Sequence, residues 1–144
     1  MYIRPMDTST KIKTSNHCVY ALHCHLVFVT KYRRKVFEAK HIAMMKDVFA
    51  DVCDKFEADL IECNGENDHV HLHVEYPPKH SLSSLVNSLK GVSSRLLRRD
   101  YPALKGKTHR EHLWSPSYFV GSCGGASLEV LKKYINNQSL ISSP

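Results

Sequence analysis

Three histidines alternate with apolar residues in Asp68-His69-Val70-His71-Leu72-His73-Val74. Such alternation predicts a half-buried β-strand. Successive side chains on a strand point to opposite faces, so His69, His71 and His73 share one face. Val70, Leu72 and Val74 share the other and anchor the strand to a core. Imidazoles two residues apart on a rigid strand can grip one metal ion from one side. The competing reading is a row of half-exposed histidines on a sheet. A third histidine on the same face, and 10 in the chain, favour the metal.

A second His-x-His, His23 and His25, lies in the apolar run Cys18 to Thr30. That run is β-rich and nearly continuously apolar, which predicts a central strand. Its neighbours suggest that these two side chains are satisfied within the sheet. The run leads into Lys31-Tyr32-Arg33-Arg34-Lys35, cations grouped around an aromatic ring. Such a group is either a solvated loop or an edge that grips phosphate, with a ring for stacking.

These motifs are positioned by alternating strands and helices. From Glu38 to about Glu57 the apolar residues Ile42, Met45, Val48, Phe49, Val52 and Phe56 recur every three or four positions, the period of an amphipathic helix. Leu60 to Asn64 reads as a strand, and Gly65-Glu66-Asn67-Asp68 as the turn into the histidine strand. Ser81 to Arg99 reads as a second helix, with Lys90, Arg95, Arg98 and Arg99 as a basic cluster. Gly91 weakens it unless something must approach closely there. Trp114 to Ser122 reads as the last strand. Gly124-Gly125 breaks the chain, and a final helix starts near Ser127. The order β-α-β-β-α-β predicts an α+β, ferredoxin-like (RRM-like) fold with a mostly antiparallel sheet and a further C-terminal helix. Residues 1–16 read as a loose basic arm and 17–144 as a single domain.

Charge and cysteine usage narrow the function. A formal net charge of +6 over 144 residues suits a polyanionic partner such as nucleic acid. The 5 cysteines are odd in number and lack a Cys-x-x-Cys pair, which argues against a disulfide framework. No apolar run is as long as a membrane span, and the N-terminus carries no signal-peptide pattern, so a cytoplasmic protein without a membrane partner is expected.

On the final helix Tyr134 and Gln138 lie four apart, on one face. With them in view, the chain resembles the single-tyrosine HUH transposases of bacterial and archaeal insertion sequences, HUH meaning His-hydrophobic-His. The resemblance runs from about His17 to Gln138. It is carried by His25-Leu26-Val27-Phe28-Val29-Thr30-Lys31-Tyr32-Arg33-Arg34-Lys35, Asp68-His69-Val70-His71-Leu72, Lys90-Gly91-Val92-Ser93-Ser94-Arg95, Leu113-Trp114-Ser115 and Tyr134-Ile135-Asn136-Asn137-Gln138. It implies His69 and His71 as metal ligands, Gln138 as the third, and Tyr134 as the nucleophile. His73 departs from the family, which usually carries an apolar residue there.

The implied activity is metal-dependent cleavage and rejoining of single-stranded DNA through a 5′-phosphotyrosine, with recognition of hairpins at element ends. A divalent cation, Mg²⁺ or Mn²⁺, suits two imidazoles and an amide oxygen. Tyrosine, with a free pKa of about 10, needs activation by the metal, a base or a cation such as Lys133. Lys31, Arg33, Arg34, Lys90 and Arg95 are the expected phosphate contacts. The family further implies a homodimer in which the helix of one protomer delivers Tyr134 to the histidines of the other. Two rival functions remain: a non-catalytic nucleic-acid-binding module, and a zinc-dependent hydrolase built on His69, His71 and His73.

Overall fold

The structure, a computed structural model, describes residues 13–15, 18–107, 112–122 and 134–136. Its centre is a four-stranded antiparallel sheet of β3 (His23–Val29), β4 (Asp59–Gly65), β5 (His69–Glu75) and β6 (Phe119–Ser122), in the order β4-β5-β3-β6. The helices α1 (Ala39–Lys55) and α2 (Leu82–Asp100) make the two crossovers, and the short α3 (Ala103–Lys107) follows α2. This is the expected ferredoxin-like arrangement.

The alternating pattern dictates which face the helices cover. Cys24, Leu26 and Phe28 of β3 pair with Val74, Leu72 and Val70 of β5. All six are buried and form one core with Met45, Phe49 and Val52 of α1 and Leu85, Val86 and Leu89 of α2. Burying such side chains contributes about 1.5–3 kcal/mol each. The opposite face carries the cross-strand pairs His23–Glu75, His25–His73, Val27–His71 and Val29–His69.

Each helix begins with a local device. Ser81 caps α2 by accepting a bond from the Ser84 amide at 3.1 Å. At α1, the Glu38 amide donates to Nδ1 of His41 at 2.9 Å, while the Glu38 side chain accepts from the His41 amide. This is a capping box with histidine in the usual place of Glu or Gln. α2 ends at Tyr101, before Pro102, where the ring of proline disfavours helical backbone.

The apolar run from Cys18 is divided. Cys18–Tyr20 forms β2, paired with β1 (Lys13–Ser15), and β3 begins only at His23. Lys13, read from sequence as part of the arm, is ion-paired to Asp59 at 2.9 Å. The last strand is shorter than its sequence pattern. Trp114 makes only an isolated bridge to Thr30, and β6 proper starts at Phe119. Gly65 closes β4 where a Cβ would lie 2.8 Å from both Ile42 Cδ1 and Val70 Cγ1, so α1 can approach only over a residue without a side chain. Residues 1–12, most of the final helix, Gly124-Gly125 and Gln138 lie outside the described residues.

Candidate active site

His69 and His71 leave β5 on the face that α1 and α2 do not cover. Asp68, just before the strand, is buried, and its Oδ1 lies 2.8 Å from Nδ1 of His69. An ionised carboxylate only accepts, so Nδ1 carries the proton and Nε2 presents its lone pair. The other oxygen of Asp68 accepts from Nε of Arg33 at 2.7 Å. A carboxylate behind an imidazole is the usual support for a metal-ligating histidine, because it fixes tautomer and ring orientation. Burial pushes the pKa of His71 down, and the neighbouring His69 pushes it further the same way. A neutral imidazole is the form that binds metal. The pair therefore fits a divalent ion. Among the described residues no set of three His, Cys, Asp or Glu is placed to hold one.

Arg33 reaches Asp68 from a tight turn. Tyr32 and Arg33 both adopt left-handed backbone, with φ of 59° and 52°. The turn is stitched to the β4–β5 hairpin by the Thr30 amide on Asp68 O (3.0 Å) and the Val36 and Phe37 amides on Asn67 O (2.9 Å each). Lys31 Nζ and the Arg34 guanidinium each lie 5.8 Å from the centre of the Tyr32 ring.

His73 lies on the same face of β5, two residues beyond His71, and is engaged by the neighbouring strand. Its Nε2 lies 2.8 Å from Nδ1 of His23, and its ring centre 5.2 Å from that of His25. His23 Nε2 is in turn 2.9 Å from a carboxylate oxygen of the buried Glu75, off the direction of a hydrogen bond. His23 Nδ1 thus finds a partner in His73, but the buried Nε2 of His23 makes no hydrogen bond among the described residues, so the expectation that His23 and His25 are satisfied within the sheet or its edge is met only in part. A three-histidine zinc centre on His69, His71 and His73 is not assembled here.

Tyr134 meets the sheet at β6. Residues 134–136 are helical, and the Tyr134 ring centre lies 5.5 Å from that of Phe119. Phe119, Val27 and His71 form one cross-strand row. Strand spacing puts the backbones of Phe119 and His71 roughly 10 Å apart. The Tyr134 hydroxyl is 3.4 Å from that of Ser117. Burial raises the phenol pKa, opposed by the Ser117 hydrogen bond.

The remaining cations are distributed unevenly. Arg95 lines a cleft of about 470 Å³ with Gly91, Arg98, His112 and Trp114. Lys90 borders that cleft, but its ammonium donates to the carbonyls of Ser115 at 2.7 Å and Ser117 at 3.3 Å. Sequence reasoning passed over Asp68, Ser117 and this role of Lys90. Asp68 carried a signal in its adjacency to His69; the other two carried none.

The sequence pattern of the family described as "Transposase IS200 like" matches residues 18–138. The chain belongs to that family. It is 31% identical over 128 residues to the ISDra2 transposase TnpA of Deinococcus radiodurans, spanning 89% of this chain and 91% of that one. It is 30% identical over 132 residues to the transposase for insertion sequence element IS200 of Salmonella typhimurium, covering 92% and 84% of the two chains. The fold is similar to the crystal structure of a transposase from Deinococcus radiodurans R1, with a TM-score of 0.77, 32% identity and coverage of 88% of this chain and 97% of that chain. A REP-associated tyrosine transposase bound to a REP hairpin has the same fold at a TM-score of 0.54 and 11% identity, over 86% and 68% of the two chains. Among the described residues no helix is long and apolar enough to cross a membrane.

Proposed function

We propose that this transposase cuts and rejoins single-stranded DNA with Tyr134 as nucleophile and a divalent ion, Mg²⁺ or Mn²⁺, held by His69, His71 and Gln138. The observation that supports the reading is the Asp68–His69 bond, which fixes the ring of His69 on the sheet face shared with His71 and with Phe119, the residue that the Tyr134 ring meets. A bound divalent cation offsets the charge of the scissile phosphodiester and opens it to attack. Tyr134 Oη bonds to phosphorus as the P–O3′ bond breaks. The phenol proton is lost, and the leaving 3′-oxygen takes up a proton. The 5′-phosphotyrosine stores the bond energy, and a 3′-hydroxyl later attacks it, releasing Tyr134 and joining DNA without a nucleotide cofactor.

The substrate of this reading is single-stranded DNA folded into hairpins at the element ends. The hairpin named in the complex of the REP-associated tyrosine transposase supports it, as does the +6 net charge. Lys31, Arg34 and Arg95 serve as phosphate contacts, while Arg33 and Lys90 are committed within the chain. The working unit is a homodimer in which Tyr134 of one protomer acts on the histidine pair of its partner. The test is an SDS-resistant protein–DNA adduct formed with cognate single-stranded DNA and Mn²⁺. It is expected with the native chain and absent with Tyr134→Phe, which keeps DNA binding. An adduct that survives Tyr134→Phe overturns the assignment.

A further inference from the structure

Lys90 occupies an unusual position for a surface cation. Its ammonium faces the protein, burial pushes its pKa down, and among the described residues no carboxylate pairs with it. Desolvating a charge is costly unless its hydrogen bonds are well satisfied. Both of its bonds go to one short segment, through the carbonyls of Ser115 and Ser117, and the ammonium lies 5.9 Å from the centre of the Tyr118 ring.

That segment is fixed at its start independently of Lys90. The Lys31 amide donates to Leu113 O at 3.0 Å, the Ser115 amide to Val29 O at 2.7 Å, and the Trp114 indole to Ser93 Oγ at 3.0 Å. The lysine reaches two residues further along, to the carbonyl of Ser117. Ser117 is the residue whose hydroxyl meets that of Tyr134.

We propose that Lys90 is a positioning residue for the nucleophile: its ammonium holds the carbonyl of Ser117, and the Ser117 hydroxyl docks the hydroxyl of Tyr134. The proposal rests on the reading of Tyr134 as nucleophile. The contact seen lies within one chain; in the proposed dimer the same Lys90 and Ser117 would receive the partner's Tyr134. It removes Lys90 from the phosphate contacts expected from sequence and gives it an effect on rate instead of grip. Misplacing a reacting atom by about 1 Å costs up to roughly 100-fold in rate.

The experiment compares native protein with Lys90→Met, Lys90→Arg and Ser117→Ala. Adduct formation is timed over a range of DNA concentrations, with DNA binding measured at several salt concentrations. Lys90→Met is expected to slow the rate at saturating DNA by about 10- to 100-fold, with half-saturation and salt slope unchanged. Lys90→Arg should recover part of the rate, since it can still donate to both carbonyls. Ser117 is exposed, so Ser117→Ala should fold normally. It should slow the rate and raise the phenol midpoint of Tyr134, read as the difference in phenolate absorbance from a Tyr134→Phe background. A Lys90→Met protein with an intact saturating rate and a salt slope lowered by about one marks Lys90 as a phosphate contact and overturns the proposal. An unchanged phenol titration in Ser117→Ala overturns it too. That titration needs no catalysis, so failure of the native protein to form any adduct refutes the proposed function separately.

Discussion

His69 Nδ1 and Asp68 Oδ1 lie 2.8 Å apart, adjacent in the chain, and Arg33 Nε holds the second oxygen of the same carboxylate at 2.7 Å. The ring of His69 is thus oriented by groups of the chain itself. Removing the carboxylate frees the ring to turn and leaves Arg33 without this partner. Asp68→Ala should weaken Mn²⁺ binding by about 10- to 100-fold, the usual effect of losing such an outer partner. Titration calorimetry with native and variant protein checks this. Equal affinities would show that the bond does not support the ligand.

Composite sites predict complementation. Tyr134→Phe and His69→Ala proteins should each be inactive alone. Mixed dimers carry one site with both lesions and one site with neither, so adduct formation should return on mixing. If every site is built within a single chain, the mixture stays inactive. The assay is gel detection of the adduct after subunit exchange.

Lys31, Arg34 and Arg95 should differ from Arg33 in their response to salt. Each true phosphate contact contributes about 0.7 to the slope of log affinity against log salt for a single strand, and about 0.9 for a duplex stem. Alanine at Lys31, Arg34 or Arg95 should lower the slope by that amount. Arg33→Ala should leave the slope nearly unchanged and instead reduce Mn²⁺ affinity through Asp68.

His41 makes stability sensitive to acid. Burial lowers its pKa from the ordinary 6.5, and its unprotonated Nδ1 accepts the Glu38 amide. The folded pKa lies below the unfolded one, so the unfolded chain binds more protons as pH falls through this range. The stabilisation is complete above about 6.5 and is lost as pH drops through the lower folded value. His71 and His73, also lowered by burial, act in the same direction. His41→Gln supplies an acceptor that does not titrate, at the position where a capping box normally has one. Its melting temperature should fall less between neutral and acidic pH than that of the native chain. The protected part corresponds to about 1 kcal/mol, the usual contribution of a cap.

The sheet and both crossover helices were legible because their patterns are local. Alternation over His69–Val74 sorts the two faces correctly, and the spacing from Met45 to Val52 marks the buried side of α1. The break between Tyr20 and His23 was hidden, because an apolar run looks the same whether it is one strand or two. The site was partly legible for a different reason. His69 and His71 share a strand, so their proximity follows from the sequence. The bonds from His73 to His23 and from Lys90 to the 115–117 segment cross 50 and 25 positions, and only the completed sheet brings them together. A lysine on a helix reads alike whether it points at phosphate or at its own chain. Gln138 and the glycine pair lie outside the described residues.

The left-handed turn at Tyr32 and Arg33 makes the support behind His69 depend on tertiary structure. Left-handed backbone costs an L-residue roughly 1–2 kcal/mol, and here two neighbours adopt it. An unfolded or half-formed chain does not hold that conformation unaided. Arg33 reaches Asp68 from a turn that the amides of Thr30, Val36 and Phe37 bind to Asp68 and Asn67 of the β4–β5 hairpin. A chain opened at this turn loses the Arg33 contact, one of the two side-chain bonds that fix the carboxylate behind His69. The setting of that carboxylate is therefore a property of the completed fold, although Asp68 and His69 are adjacent in sequence.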